Sequence, residues 1–471
     1  MAENEARILQ AGKNCWRVEN ADRVAFLIDS KRYFAVLDRV LPQAHRRIVI
    51  VGWDFDSNAR LTPGGPVLSE RLVKLVDANP LLEIHVLIWR SSLVYANNHD
   101  LPLSLGSNWY DHPRIHYRLD SEHPIGASHH QKIVALDDCL AFVGGIDLTE
   151  GRLDDCGHAF DCSDRTTFKG EAYDPVHDVQ MLVDGDAAAA VAELAYERWR
   201  DGTAEDLQPL PMALPRLWPM GVTPDLRNHD VAIARTRAEY NSREAYREIE
   251  RLNIDALRRA EKQIYIEAQY FAESTVAEIL CEHLKNPDGP EVMAVVNYNS
   301  HGKLEQYVMG QNRDRLFGHL RQADRHGRLG LLFSRAHCDP HCDVKIHSKV
   351  MIVDDRFLRI GSSNLNQRSL GLDSECDLAI EATTLQARHS IRRFLRDLLA
   401  DHLRAAPARV VQAYRANDRS LLRTVTRLGE GSCLLPYTVD ESQAAPPVAF
   451  TAVLDPAEPF TLDRVISGLK R

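Results

Sequence analysis

"SHHQKIVALDDCLAFVGGIDL", residues 128–148, places two histidines and a lysine immediately ahead of apolar runs of strand length. Residues i and i+2 of a strand share a face, so His130 and Lys132 stand side by side, an imidazole beside a cation. The arrangement returns as "HSKVMIVDDRFLRIGSSN", residues 347–364. Each position recurs 217 residues on: His130 and His347, Lys132 and Lys349, Asp137 and Asp354, Gly144 and Gly361, Asp147 and Asn364. A chain of this size is expected to contain on the order of 0.1 such spaced patterns by chance, so two copies in register mark an internal duplication.

Outward from the two copies, Val- and Ile-rich segments such as "RIVIVGW" (47–53), "EIHVLIW" (83–89), "QIYIEAQYF" (263–271) and "EVMAVVNY" (291–298) read as strands. Helical periodicity separates them at 68–78, 187–201, 245–262 and 387–403. Strands mixed with helices in both halves predict an α/β fold class. Five prolines between Pro209 and Pro224 predict an extended connector. The domain reading is therefore a first repeat over 1–205, a Pro-rich connector over 206–235, a second repeat over 236–410, and a tail over 411–471. That tail is expected to pack on the lobes as an irregular wrap with a short last helix.

The chemistry follows from residue types. Two imidazoles and two ammonium groups facing one another suit an anionic substrate with a leaving group, a phosphodiester. A neutral histidine can attack phosphorus while a protonated partner supplies the leaving oxygen with its proton. Lys132, Lys349 and a side-chain amide can hold the non-bridging oxygens. Asp137 and Asp354 lie at the opposite strand parity, in Asp-Asp turns, and read as structural. Each histidine needs a carboxylate on its other ring nitrogen, and Asp178 and Glu375, at the starts of two similar strands, are the candidates.

Composition bounds the alternatives. A length of 471 residues at 44% hydrophobic exceeds the size at which single cores stop growing. The net charge of −10 disfavours a general nucleic-acid binder. Nine scattered cysteines do not form a disulfide framework and fit a reducing compartment. "AHCDPHCD" (His337, Cys338, His341, Cys342) has zinc-ligand residue types but no second cluster, so it reads as a polar loop and no metal or cofactor is expected. No signal peptide or 18-residue apolar run is seen, which predicts a cytoplasmic or peripheral membrane protein.

These residues resemble the phospholipase D superfamily, marked by paired HxKxxxxD motifs with a following GSxN segment. "FVGGIDLTEGR", "PVHDV", "IYIEAQYF" and "GSSNLNQRSLGLDSECDLAI" resemble its lipid-cleaving phospholipase D branch, in a compact bacterial-type form. The resemblance implies a duplicated α/β/α sandwich, two pseudo-twofold-related lobes with one active site at the seam. It implies His130 as nucleophile forming a covalent phosphohistidine and His347 as acid then base. Asp178 is then expected to orient His130 and Glu375 to orient His347, with Lys132, Lys349, Asn364 and Ser362 binding phosphate. The branch carries tryptophan where this chain has Leu153 and Val176, and asparagine at Ala268, differences expected at the lipid or headgroup surface. The implied activity is hydrolysis of a glycerophospholipid to phosphatidic acid and headgroup, with transphosphatidylation to an alcohol. The implied partners are a phospholipid membrane surface and a water or alcohol acceptor, with no nucleic acid, acting as a monomer. A phosphatidyltransferase such as a cardiolipin synthase, a nuclease of the superfamily, and a degenerate lipid-binding scaffold are the alternatives.

Overall fold

The strands that follow the two histidines each seed one half of a single sheet. The computed structural model describes residues 7–90, 109–155, 157–211, 214–299, 309–337, 339, 341–429, 432–439 and 454–459. The first half contains β1 (Arg17–Ile28), β2 (Arg47–Gly52), β3 (Glu83–Trp89), β4 (Ile115–Asp120), β5 (Ile133–Leu136), β6 (Leu140–Gly144), β7 (Val176–His177) and β8 (Val179–Asp184). The second contains β9 (Leu226–Arg237), β10 (Tyr246–Arg247), β11 (Gln263–Ala268), β12 (Glu291–Val296), β13 (Leu329–Ser334), β14 (Lys345–Ile346), β15 (Val350–Val353), β16 (Phe357–Gly361), β17 (Glu375–Glu381) and β18 (Leu434–Pro436).

The order across the main sheet is β18-β13-β12-β11-β15-β16-β17-β9-β1-β8-β6-β5-β2-β3-β4, with β10 paired to β9, while β7 and β14 pair in a separate two-stranded sheet. The main order reads alike outward from the β9/β1 pair, where Arg17 faces Ile233 and Val24 faces Leu226 in antiparallel register. The duplicated α/β/α sandwich expected from the sequence is thus realised with the sheets of the two lobes fused edge to edge. Buried β-branched runs fill the strands because helices cover both faces. The helices Gly185–Thr203 and Leu385–His402 share one apolar core spanning both repeats, while the opposite face carries a separate core for each. Fully buried Trp199, Phe142 and Phe357 contribute on the order of 1.5–3 kcal/mol each.

Two boundaries differ from the sequence reading. Residues 226–235, assigned to the connector, form most of β9, because the apolar alternation of Val231 and Ile233 resumes beyond Pro224 and pairs with β1 and β17. The tail is more regular than a wrap: helices Pro407–Ala416 and Leu421–Leu428 are followed by β18, which pairs with β13. The expected last helix and the "ESQAAPPVAF" segment lie outside the described residues. Among the described residues, Cys15, Cys139, Cys162, Cys281, Cys342 and Cys376 are thiols outside any disulfide.

Candidate active site

Each motif aspartate tethers its strand to the next. Asp137, in a left-handed turn at φ 51°, accepts the backbone N–H groups of His45, Arg46 and Arg47 at 2.6–2.8 Å. Asp354, at φ 55°, accepts those of Glu261, Lys262 and Gln263 at 2.8–3.1 Å. Both aspartates therefore sit at the far end of their strands from the histidines, gripping the chain entering β2 and β11.

The histidines are held by the opposite repeat. The His130 backbone N–H donates to Ser374 O and that of His347 donates to His177 O, both at 2.8 Å. Ser374 and His177 immediately precede Glu375 and Asp178, so these backbone bonds bring each carboxylate to the histidine of the other repeat. His130 Nδ1 donates to Glu375 Oε2 at 3.0 Å, and His347 Nδ1 donates to Asp178 Oδ2 at 2.7 Å. This corrects the expected pairing of Asp178 with His130 and Glu375 with His347: the acids cross the seam. The crossed bonds leave Nε2 of each imidazole as the free lone pair.

The surroundings tune these pairs. Burial, reinforced by Lys132 and Lys349, holds the His130 imidazole well below its ordinary pKa. Burial, with Lys349 and Arg152, does the same to His347. Burial pushes Glu375 up to about 7 against the Ser362 hydrogen bond, and Asp178 up to about 6 against Lys349. His130 keeps 15% of its side chain exposed and His347 5%, whereas Glu375 is fully covered.

The lysines differ. Lys132 Nζ lies 3.0 Å from Asp147 Oδ2, while Lys349 Nζ donates to Gln269 Oε1 at 3.1 Å. Burial drives Lys349 below its usual range, with Asp178 opposing and Lys132 and Arg152 adding to the shift. Asn364 is buried with its Oδ1 free of hydrogen-bond partners among the described residues.

Ser362 departs from its expected role in phosphate binding. It is fully buried, donates to Glu375 Oε2 at 2.5 Å and accepts from the Cys376 N–H at 3.0 Å, so it positions the carboxylate. Its counterpart is Gly145, where an added Cβ would lie 2.2 Å from Asp178 Oδ1. Leu153, Val176 and Ala268, expected on a lipid or headgroup surface, are buried; Leu153 joins the first-lobe core.

Sequence reasoning missed Arg152, whose charge reaches Asp178, His347 and Lys349, and the lysine partners Asp147 and Gln269. A lone arginine in "TEGRLDD" carries no spacing signal; Asp147 was readable as the register mate of Asn364. In the "AHCDPHCD" loop, Cys338 lies outside the described residues and the Cys342 thiol donates to Asp174 at 3.7 Å. A cavity of about 580 Å3 opens beside the site, between Gly151, Phe160, Val176, Tyr298 and Lys345.

Two family models match the chain. One described as "Phospholipase D" covers residues 115–217, and one described as "Cardiolipin synthase, PLD-like domain" covers residues 253–398. Phospholipase D A of Dictyostelium discoideum is 25% identical over 458 residues, covering 81% of this chain and 35% of that protein. Phospholipase D1 of Schizosaccharomyces pombe is 23% identical over 456 residues, covering 76% and 33%. The chain thus spans about a third of the length of these curated relatives. The crystal structure of phosphatidylserine synthase from Haemophilus influenzae superposes with a TM-score of 0.57 at 15% identity, covering 88% of this chain and 95% of that one, which is a shared fold.

Proposed function

We propose that this chain, which belongs to the phospholipase D superfamily, cleaves glycerophospholipid phosphodiesters to phosphatidic acid and free headgroup through a covalent phosphohistidine. The reading rests on the two crossed imidazole–carboxylate pairs flanked by Lys132 and Lys349. His130 Nε2 attacks phosphorus, and the bond to the headgroup oxygen breaks as His347 delivers a proton to it. Glu375 stabilises the positive charge that develops on His130, and Asp178 does so for His347. Lys132, Lys349, Arg152 and Asn364 offer donors to the non-bridging oxygens, whose charge redistributes in the transition state. In the second half, His347 takes a proton from water, whose oxygen attacks phosphorus and releases His130. Any alcohol admitted in place of water gives transfer by the same step.

A phospholipid surface is the proposed site of action, with the protein bound peripherally. No helix among the described residues is long and apolar enough to cross a membrane. Phe160 and Phe168 stand about half-exposed on the 151–175 segment, and Phe160 lines the cavity beside Lys345.

A second reading, phosphatidyl transfer as the main reaction, is favoured by the family model over 253–398 and by the fold shared with a phosphatidylserine synthase. One assay separates the readings: headgroup and phosphatidic acid release from mixed phospholipid vesicles in EDTA, with and without a primary alcohol, alongside supercoiled DNA. Phosphatidic acid that gives way to phosphatidyl-alcohol is the expected result. Products that form only when alcohol is present would make transfer the main reaction, and DNA nicking with intact lipid would overturn both lipid readings.

A further inference from the structure

Behind the Asp178–His347 pair lies a second cluster of titratable side chains that the reaction does not use. Asp29, His158, His177 and Asp401 are all buried, each side chain at most 3% exposed, and their ligand atoms lie within 4.8 Å of one another. They converge from four places: the residue after β1, the 151–175 segment, β7, and the helix Leu385–His402 of the other repeat.

The hydrogen bonds around the cluster decide its chemistry. His158 Nδ1 donates to Asp154 Oδ2 at 2.8 Å, and His177 Nε2 donates to Glu267 Oε2 at 3.1 Å. Those carboxylates are themselves held, Asp154 by Arg165 at 2.9 Å and Glu267 by Tyr265 at 2.6 Å and His402 at 2.9 Å. In its neutral form each imidazole spends its one N–H outward, which turns the lone pair of its other nitrogen inward. There the inward atoms meet only carboxylates. His177 Nδ1 lies 2.9 Å from Asp29 Oδ1 and 3.1 Å from Asp401 Oδ2; His158 Nε2 lies 3.4 Å from Asp401 Oδ2 and 3.6 Å from Asp29 Oδ2. Both Asp29 oxygens, His177 Nδ1 and Asp401 Oδ1 make no hydrogen bond to any described residue. Neutral imidazoles would set lone pairs against these buried carboxylate oxygens, so each inward nitrogen must carry either a proton or a metal ion in that place.

We propose that Asp29, His158, His177 and Asp401 form a closed structural zinc site that joins the two repeats behind the catalytic seam. Zinc bonds of about 2.0–2.1 Å to nitrogen and oxygen give a tetrahedron with edges of about 3.3 Å, and the four imidazole–carboxylate separations of 2.9–3.6 Å bracket that length, with Asp29 turning one oxygen to each histidine. Two aspartates neutralise the ion, and the outer carboxylates fix the tautomer of each liganding histidine. With four protein ligands the ion has no open position, so it polarises no substrate and holds geometry instead. The geometry it would hold is that of the acid pair: His177 is covalently next to Asp178, and the Asp29 N–H donates to Asp178 O at 2.8 Å.

The test is metal content of the full chain, expressed with added zinc, dialysed against EDTA while folded, then unfolded in guanidinium with a chromogenic chelator. One zinc per chain, retained through dialysis and released on unfolding, is expected. His158→Gln and Asp401→Asn should lose it and melt at lower temperature, whereas Cys342→Ser, in the other candidate loop, should keep it. Folded wild-type protein without zinc, unable to take it up on refolding, would overturn the site whether or not the variants fold. So would zinc that is lost in Cys342→Ser and kept in the other two variants.

Discussion

Each lysine donates to the carbonyl of its own motif histidine, but in the first repeat Lys132 also lies 3.0 Å from the Asp147 carboxylate, whereas in the second Lys349 also donates to the neutral Gln269 amide oxygen at 3.1 Å, and the register mate of Asp147 is Asn364. The carboxylate supports differ in the opposite sense. Glu375 is braced by the Ser362 hydroxyl, while Asp178 packs against bare Gly145. The duplication therefore preserved the position of each histidine and let its surroundings diverge. Two chemically distinct imidazoles, one to attack and one to donate, are what such divergence can produce from a symmetric ancestor.

The largest asymmetry is expected from removing each histidine. His130→Ala should cut turnover by at least about 10,000-fold and abolish any acid-labile, base-stable phosphoenzyme. His347→Ala should slow both steps by about 100- to 10,000-fold, yet allow the adduct to accumulate on a substrate with a good leaving group. Phosphoenzyme still present on the His130→Ala protein would reverse the assignment of nucleophile.

Next in size is the Gly145/Ser362 contrast. Gly145→Ala drives a Cβ to 2.2 Å from Asp178 Oδ1, so the carboxylate must move and His347 with it. A loss of kcat of about 100-fold is expected, with the folded state verified by melting. Ser362→Gly removes the hydroxyl that braces Glu375 and accepts from the Cys376 N–H without displacing the carboxylate, at a cost in kcat of about 1 kcal/mol or roughly fivefold. Equal effects of the two substitutions would mean that the supports are equivalent after all.

The pH profile reads both pairs at once. Burial raises Asp178 to about 6 and Glu375 to about 7, so each imidazole–carboxylate pair gains a proton as pH falls through this range. Too low a pH occupies the His130 pair and blocks attack; too high a pH empties the His347 pair and removes the acid. kcat/KM should be bell-shaped with a maximum between these values, falling about tenfold per pH unit on either side. Asp178→Asn should displace one limb and Glu375→Gln the other. A flat profile over roughly pH 5 to 8 would dissociate both pairs from the reaction.

What could be read beforehand follows from where the information sits. The strands after His130 and His347 are legible because residues 128–148 and 347–364 carry their own alternation and repeat in register. β9 reads as connector in the sequence because its apolar face begins only two residues after Pro224, under a polar "RNHD" start. The acid–histidine partnership was not legible because strand position within a repeat cannot report which side of a seam a carboxylate faces. That depends on backbone bonds from His130 to Ser374 and from His347 to His177, made between residues over 160 positions apart. The buried cluster was hidden for a related reason: Asp29, His158, His177 and Asp401 share no spacing, and folding alone gathers them.

The smallest predicted effect tests whether the lysine asymmetry matters to catalysis. Burial, with Lys132 and Arg152 nearby, lowers Lys349, so rising pH takes its proton before that of an ordinary lysine and removes one contact to phosphate. KM should therefore climb on the alkaline side while kcat changes less. Asn364→Asp restores in the second repeat the residue type that stands beside Lys132 in the first. The added carboxylate should keep Lys349 protonated to higher pH, moving the rise in KM upward. It also partly cancels the charge that attracts the substrate, so KM at neutral pH should increase by a few-fold, about 1 kcal/mol or less. A variant whose KM rises at neutral pH without the alkaline displacement would show that position 364 touches phosphate but not Lys349. The divergence between the repeats would then serve substrate contact alone, and the charge state of Lys349 would be set by burial and its cationic neighbours.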